Sequence, residues 1–328
     1  MKHIPGFGEL TALAILTSAF CAQVSGAPVK LERSPGQIEV LIDGRPFTTY
    51  YLSPATAKPY LMPIRSASGA VVTRGFPVVN DVSSADPKAS GFEPHQRPLY
   101  FGHGDFDGLD FWQEPVFDKY YTDHGKQAYG HMRLKAVEQA AAGTIRARFT
   151  LNSPNNRVIG EEAQSFTFGG DGQSRVIDCE FILYATNGPL DIGDTKEGTF
   201  AIRLAPELSA PHAHMLNSAG ATGEKAIWGK PANWVSYSGT VDGKHVTVTV
   251  FDSPKSFRHP TTWHARAYGL FAANPFGIRE FTGDPNKDGS WTIPEGKSLT
   301  FRYRVIIREG DFPWAQIKET YQRYASEQ

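Results

Sequence analysis

Apolar and polar residues alternate with a period of two along most of this chain, and that pattern predicts strands. Residues 36–42 (GQIEVLI) and 46–52 (PFTTYYL) alternate on either side of Asp43-Gly44, a dipeptide that favours a tight hairpin turn. A second pair is predicted at 59–65 (PYLMPIR) and 69–74 (GAVVTR), around Ser68-Gly69. Strand signals return at 129–139, 144–151, 162–168, 175–185, 198–205, 234–241 and 245–252. The run VTVTV at Val246–Val250, preceded by Asp242-Gly243, is the cleanest of them, and Glu295-Gly296 leads into a long late strand at 297–308. Only at the C-terminus does the spacing become helical. Trp314, Ile317, Tyr321 and Tyr324 recur every three or four residues, with Asp311 placed as a cap and Pro313 in the first turn. Many strands with one helix must bury their apolar faces by sheet packing. The expected fold is all-β, a large antiparallel β-sandwich with one C-terminal helix. With no internal repeat or low-complexity linker, residues 27–328 read as a single domain.

Two stretches break the pattern. Gly75 to Asp118 is long, rich in Asp, Gly and Pro, and shows few periodic apolar residues. Loops of that length inside a domain are usually functional or disordered, and its aromatics (Phe92, Tyr100, Phe101, Phe106, Phe111, Trp112, Phe117) argue against disorder. The second stretch is His259 to Gly277, HPTTWHARAYGLFAANPFG. Polar groups fall on both parities, and Pro260, Pro275, Gly269 and Gly277 oppose a helix, so irregular backbone is expected.

Composition narrows the class. The 328 residues carry a formal net charge of −1 with 20% charged residues, which gives no electrostatic reason to expect a nucleic-acid partner. Lys2 and His3 precede an apolar run, Leu10–Phe20, followed by the small residues CAQVSGA. This reads as an export signal spanning residues 1–26 with cleavage near Gly26, and the run is short for a bilayer span. Phe20 is bulky where a lipoprotein signal needs a small residue before Cys21. The mature protein is therefore expected to be periplasmic or secreted, with no transmembrane span. Cys179 would then be the last cysteine, without an intramolecular disulfide, buried as a small hydrophobe within VIDCEFILY.

Three clusters hold chemistry-bearing residues. The first is Gly91–Trp112, where His95, Arg97 and His103 are followed by Asp105, Asp107 and Asp110. The second is Gly193–Ala205, with Lys196 and Glu197 on a turn before a strand carrying Arg203. The third is the 259–277 stretch, with Trp263, His264, Arg266, Tyr268 and Asn274; Trp234 and Tyr237 precede it. Imidazole and carboxylate supply acid–base chemistry, while Arg, Trp and Tyr hold a polar ligand. Each cluster also has a plainer reading. Asp and Gly make tight turns, charges at a strand start are solvated, and His with Arg can fix loops. The spacing of GDFDGLD lacks the ligand pattern of a calcium loop, and neither HxH nor HExxH is present. There is no nucleophile elbow, Walker loop or dinucleotide fingerprint, so no cofactor is expected.

Taken together, five segments resemble a family of bacterial secreted proteins labelled "methane oxygenase PmoA" or a domain of unknown function. They are KPYLMPIRSASGAVVTRGFP from Lys58, RPLYFGHGDFDGLDFW from Arg97, GDTKEGTFAIRLA from Gly193, WVSYSGTVDGKHVTVTVFDSP from Trp234, and HPTTWHARAYGLFAANPFG from His259. The resemblance covers nearly the whole chain after the signal. It departs at FEPHQR, where the family has a His-rich run of the form DHPHHR, so Glu93 and Gln96 stand where His is expected. A particulate methane oxygenase subunit spans the membrane several times, and past its signal this chain has no apolar run of about 18–20 residues, so the label is not taken as its function. The resemblance implies a galactose mutarotase-like supersandwich and a carbohydrate ligand, with His, carboxylate, Arg and aromatics sharing one sheet face. The leading expectation is an exported carbohydrate-active enzyme, a hydrolase, lyase or epimerase. His95, His103, Glu197 and His264 would be its acid–base groups. Arg97, Asp105, Asp107, Trp112, Lys196, Trp234, Tyr237, Trp263, Arg266, Tyr268 and Asn274 would bind substrate. For hydrolysis, Glu197 with Asp105 or Asp107 is the carboxylate pair considered. The alternatives are a non-catalytic glycan- or ligand-binding envelope protein and a metal-dependent oxidase or hydrolase.

Overall fold

Two Asp-Gly pairs set the β-hairpins predicted around them. Asp43 and Gly44 have φ of +54° and +70°, and Asp242 and Gly243 have +49° and +72°. Two successive positive φ values give the turn whose twist matches paired strands. A computed structural model describes residues 26–75, 93–115 and 128–328. The predicted export signal up to residue 25, with Cys21, lies outside the described residues, as do Phe92 and Phe117.

The strands in chain order are β1 (Val29–Ser34), β2 (Gln37–Ile42), β3 (Arg45–Tyr51), β4 (Tyr60–Met62), β5 (Leu99–His103), β6 (Leu109–Asp110), β7 (Ala128–Tyr129), β8 (His131–Ala141), β9 (Thr144–Asn152) and β10 (Val158–Gly170). They continue with β11 (Ser174–Tyr184), β12 (Leu190–Ile192), β13 (Gly198–Arg203), β14 (His214–Asn217), β15 (Trp234–Val241), β16 (Lys244–Asp252), β17 (Trp263–Ala265), β18 (Leu270–Ala273), β19 (Trp291–Ile293) and β20 (Ser298–Glu309). The first large sheet has the order β1-β2-β3-β4-β5-β13-β18-β17, and the second β14-β15-β16-β20-β11-β10-β9-β8. All neighbours within them are antiparallel. Two-stranded pairs, β6-β7 and β12-β19, lie beside them. Among the described residues the α-helices are α1 (Glu224–Ile227), α2 (Ile278–Thr282) and α3 (Trp314–Ser326), with a short 3-10 turn at Pro206–Leu208.

The sheets pack face to face through aromatic pairs. Phe101 stacks on Phe181 at 4.5 Å, Phe200 on Tyr303 at 4.6 Å, and Tyr237 meets Phe271 at 4.8 Å. Each such pair adds to the apolar area it buries. β11 shows how period two builds this core. Ile177, Cys179, Phe181 and Leu183 point inward. Asp178 and Glu180 point outward and pair across the strand with Arg304 and Arg302, at 2.6 and 2.7 Å. The antiparallel sandwich and the buried Cys179 are as the pattern predicts.

Several details differ from the sequence pattern. β5 runs through the middle of the segment expected to be irregular, and β17 and β18 occupy the 259–277 stretch. All three are buried along their whole length, so neither face alternates with solvent and the period-two signal is lost. Asp311 makes no cap. α3 begins directly after Pro313, which places Asp311 two residues before the cap position and out of reach of the first-turn N–H groups. Ile317, Tyr321 and Tyr324 pack against Trp234, Phe251 and Ile306 on the outer face of the second sheet.

A small polar network sits inside the sandwich. β10 turns Glu162 inward, where Gln164 Nε2 donates to Glu162 Oε1 (2.6 Å) and Tyr50 donates its hydroxyl to Gln164 Oε1 (2.7 Å). Burial pushes the Glu162 carboxyl up to about 8, against the opposing Gln164 bond. The folded value lies above the unfolded value of about 4.3, so the stability tied to this proton is complete below pH about 4 and is lost as pH rises to about 8. Glu162→Gln removes the ionisation. Urea unfolding at pH 5 and pH 8 should show the variant gaining on the wild type with pH, by up to about 1.4 kcal/mol per unit. A stability difference that is the same at both pH values would contradict a protonated core Glu162.

Candidate functional site

The face of the first sheet that turns away from the core carries the site. Along β5, Leu99 and Phe101 enter the core while Tyr100 points outward. On β13 and β18, Phe200, Ile202, Phe271 and Ala273 point in, and Ala201, Leu270 and Ala272 point out. On β17, Trp263 and Ala265 enter the core, so His264 between them faces outward. Tyr60, Met62, Tyr100, Ala201, Leu270 and Ala272 form an apolar floor with Trp112, whose ring lies 5.0 Å from Tyr100 and 6.0 Å from His95.

A buried ionic triad fastens the 93–115 segment to this floor. Glu114 takes a two-pronged contact from Arg97, Nε to Oε1 at 2.8 Å and Nη2 to Oε2 at 2.6 Å. Lys58 Nζ lies 3.1 Å from Glu114 Oε1 and donates to the Trp112 carbonyl at 2.5 Å. The guanidinium of Arg97 lies 4.9 Å over the Tyr60 ring, and the ammonium of Lys58 lies 4.9 Å over Tyr100. All three side chains are at most 3% exposed. Burial alone would raise the Glu114 carboxyl, but Lys58 and Arg97 outweigh it and hold the group at about 2.

Next to the triad lie Arg203, which donates to Gln96 Oε1 at 2.7 Å and sits 4.5 Å over the Tyr268 ring, and Arg74, which donates to the Glu93 carbonyl at 2.9 Å. His95 is buried and its Nδ1 is 3.8 Å from Glu93 Oε2; burial, and then the Lys58 charge, keep its imidazole neutral. Glu93 is raised by burial and by the nearby Glu197 carboxylate. Asp110 accepts from the Trp112 and Gln113 amides at 2.7 and 2.8 Å, and burial still lifts its carboxyl to about 6.

Across the floor, Lys196 sits between Glu197 and Glu280, 3.0 Å from each. Burial opposes its charge, but the two carboxylates outweigh burial and raise its pKa. His264 Nδ1 lies 2.9 Å from the Lys196 carbonyl. A carbonyl only accepts, so Nδ1 carries the proton and Nε2 keeps a lone pair. Burial lowers the His264 pKa against the pull of Glu197. Arg266 Nε is 2.9 Å from Glu224 Oε1, an ion pair without hydrogen-bond geometry.

His95, Arg97, Trp112, Lys196, Glu197, His264, Arg266 and Tyr268 thus belong to one region. His103 does not join them. Its ring packs on Phe106 and Phe276 and its Nε2 donates to the Gly193 carbonyl at 2.8 Å. Burial lowers its pKa to about 4, and the ring lies so close to Gly198 that a Cβ there would sit 2.3 Å from Nδ1. Trp263 donates its indole N–H to the Ala232 carbonyl, and Tyr237 its hydroxyl to the Arg266 and Leu270 carbonyls, both from the core side. Trp234 lies under α3. Asn274 ties Thr195 to Phe276. Asp105 and Asp107 accept from the Gly108 and Asp191 amides at 2.8 Å each, holding a turn. Among the described residues no group of three His, Cys, Asp or Glu is arranged to hold a metal ion. Lys58, Glu114, Gln96 and Tyr100 were not expected at the site. Lys58 and Tyr100 lie in segments that carry the family resemblance, but only strand parity and the sheet order reveal which way they face.

Removing Glu114 leaves two cations buried together. Glu114→Ala should destabilise the protein by about 3–5 kcal/mol in chemical denaturation, and a loss below about 1 kcal/mol would show that the triad does not hold the segment. Because the folded carboxyl lies below the unfolded value of about 4.3, this stability is present above that pH and is lost as pH falls toward about 2.

No curated protein matches the chain in sequence. Among solved structures, the chain is similar to a galactose mutarotase-like protein from Clostridium acetobutylicum, with 8% identity, a TM-score of 0.37, and coverage of 87% of this chain and 99% of that one. A putative aldose 1-epimerase from Escherichia coli K12 gives 9% identity and a TM-score of 0.32, covering 87% and 100%. A GH36 α-galactosidase from Geobacillus stearothermophilus gives 9% and 0.37, covering 86% of this chain and 41% of that one. Likeness at this level leaves the site to be judged on its own residues. One family model spans the triad, the floor and His264 alike, matching residues 37–322, and the chain belongs to that family, the family of unknown function DUF6807.

Proposed function

We propose that this protein is an exported carbohydrate-active enzyme that moves a proton at a sugar carbon or glycosidic oxygen. The observation that carries the reading is His264, its Nδ1 bonded to the Lys196 carbonyl, lying near the Glu197 carboxylate beside an aromatic floor. His264 has its tautomer fixed by the Lys196 carbonyl, so Nε2 is a ready base, and lowering of its pKa by burial keeps it in that form at neutral pH. Glu197, held by Lys196 and 30% exposed, is the complementary acid or base. The apolar rings of Trp112, Tyr100 and Tyr60, each at most 3% exposed, would stack on a sugar face once the side chains over them turn aside, and Arg203, Gln96 and Tyr268 would supply polar atoms for its hydroxyls. Export rests on the N-terminal apolar run and the small residues that follow it.

His264→Ala and Glu197→Gln are each expected to lower turnover about 10²–10⁴-fold while substrate binding persists. The assays are anomer interconversion followed by optical rotation, and reducing-end release or unsaturated product from glycosides and polyuronates. Activity should rise with pH through a value below the ordinary imidazole figure of about 6.5 and level off by neutrality, since burial depresses the His264 pKa. Wild-type turnover preserved in both variants would sink the assignment. Sugar binding in the wild type, retained by His264→Ala and accompanied by no turnover, would make the protein a binding module instead.

A further inference from the structure

Two hydrogen-bond donors on the floor have no acceptor among the described residues. The Tyr100 hydroxyl and the Trp112 indole N–H are both fully enclosed and unpaired. Native proteins rarely leave such donors unmet, because each costs roughly 1–3 kcal/mol. Neither donor belongs to the inter-sheet core. Tyr100 and Trp112 belong to the outer-face cluster, with their rings 5.0 Å apart. The Tyr100 phenol feels the charges of Glu197, Glu114 and Arg203 and lies near Tyr268, which places it amid the acid–base groups rather than behind them.

The lysine and arginine charges around the pair are mostly matched by carboxylates, while Arg203 donates to the Gln96 amide oxygen and lies over the Tyr268 ring. Lys58 and Arg97 share Glu114, Lys196 lies between Glu197 and Glu280, and Arg266 faces Glu224. A ligand anion would have to compete with these carboxylates for the same cations. An uncharged oxygen needs only a donor, and two donors stand ready. Glu93, 44% exposed, is a long side chain that can swing toward solvent as a ligand settles onto the floor.

We propose that Tyr100 Oη–H and Trp112 Nε1–H are ligand-binding donors that receive an uncharged oxygen of the substrate, a hydroxyl or ring oxygen, so that the site takes neutral sugars in preference to uronates. This rests on the carbohydrate reading of the same site and names its substrate class.

Tyr100→Phe tests it, because the ring and its packing remain and only the hydroxyl goes. Calorimetry would use glucose, galactose, their methyl glycosides, glucuronate and galacturonate, each up to 50 mM. A neutral sugar is expected to bind the wild type, and about tenfold more weakly in Tyr100→Phe, while the unliganded variant melts at or above the wild-type temperature. That combination separates a ligand donor from a structural hydroxyl, whose loss lowers the melting temperature and leaves affinity unchanged. Equal affinity in Tyr100→Phe and wild type overturns the proposal. Tighter binding of the uronates overturns the preference for neutral sugars. Equal affinity in Tyr100→Phe combined with lost turnover in His264→Ala would refute this inference alone. A wild type that binds none of the probes refutes it together with the carbohydrate reading.

Discussion

The site depends on one interaction, the burial of the Glu114 carboxylate between Lys58 and Arg97. A sheet face that carries Tyr60, Met62, Tyr100 and Ala272 is apolar, and a polar segment laid over it must bring its own charge compensation. Two cations on one carboxylate satisfy both prongs of Glu114, and the Lys58 bond to the Trp112 carbonyl ties the backbone of the covering segment to the same point. Buried ion pairs are often no more stabilising than apolar substitutes, but they are costly to break and demanding in geometry. Here that demand falls on the placement of Trp112, and through it on the positions of His95 and Tyr100.

The same logic extends across the floor. Lys196 is held by two carboxylates and in turn presents its carbonyl to His264. A charged side chain thus fixes a backbone group, and the backbone group fixes a tautomer. The result is a neutral imidazole in a region where most formal charges are paired locally. An arrangement of this kind suits proton movement on an uncharged substrate better than the capture of an anion.

Much of the fold was legible in the sequence because the second sheet has one wet face. In β11 the polar Asp178 and Glu180 alternate with Ile177, Cys179 and Phe181, so period two survives; the VTVTV run of β16 alternates too, although its Thr247 and Thr249 are themselves buried. It fails for β5, β17 and β18, whose second face is covered by other parts of the chain. LYFGH, WHA and LFAA then read as irregular apolar stretches. The site was legible in part for the same reason. His95, Glu197 and His264 were identifiable as chemistry-bearing residues, but which neighbours joined them was a matter of parity. Trp263 is adjacent to His264 in sequence and on the opposite face in space. Lys58 and Glu114 are 56 positions apart and meet only because β4 pairs with β5 in the first sheet.

His103 and His264 show most directly what sequence composition leaves open. Each is buried, each directs one ring nitrogen to a backbone carbonyl, and burial depresses the pKa of each. Their chemistry differs through what lies beyond the other nitrogen. For His103 it is the Gly198 backbone, packed so closely that no side chain fits between them. His264 lies on the outer face of the first sheet near Glu197 and Lys196, its ring beside Trp228 and Phe281. An imidazole becomes a candidate base when its second nitrogen is left facing a place where a substrate can lie, and here that is decided by which side of a three-residue strand it occupies.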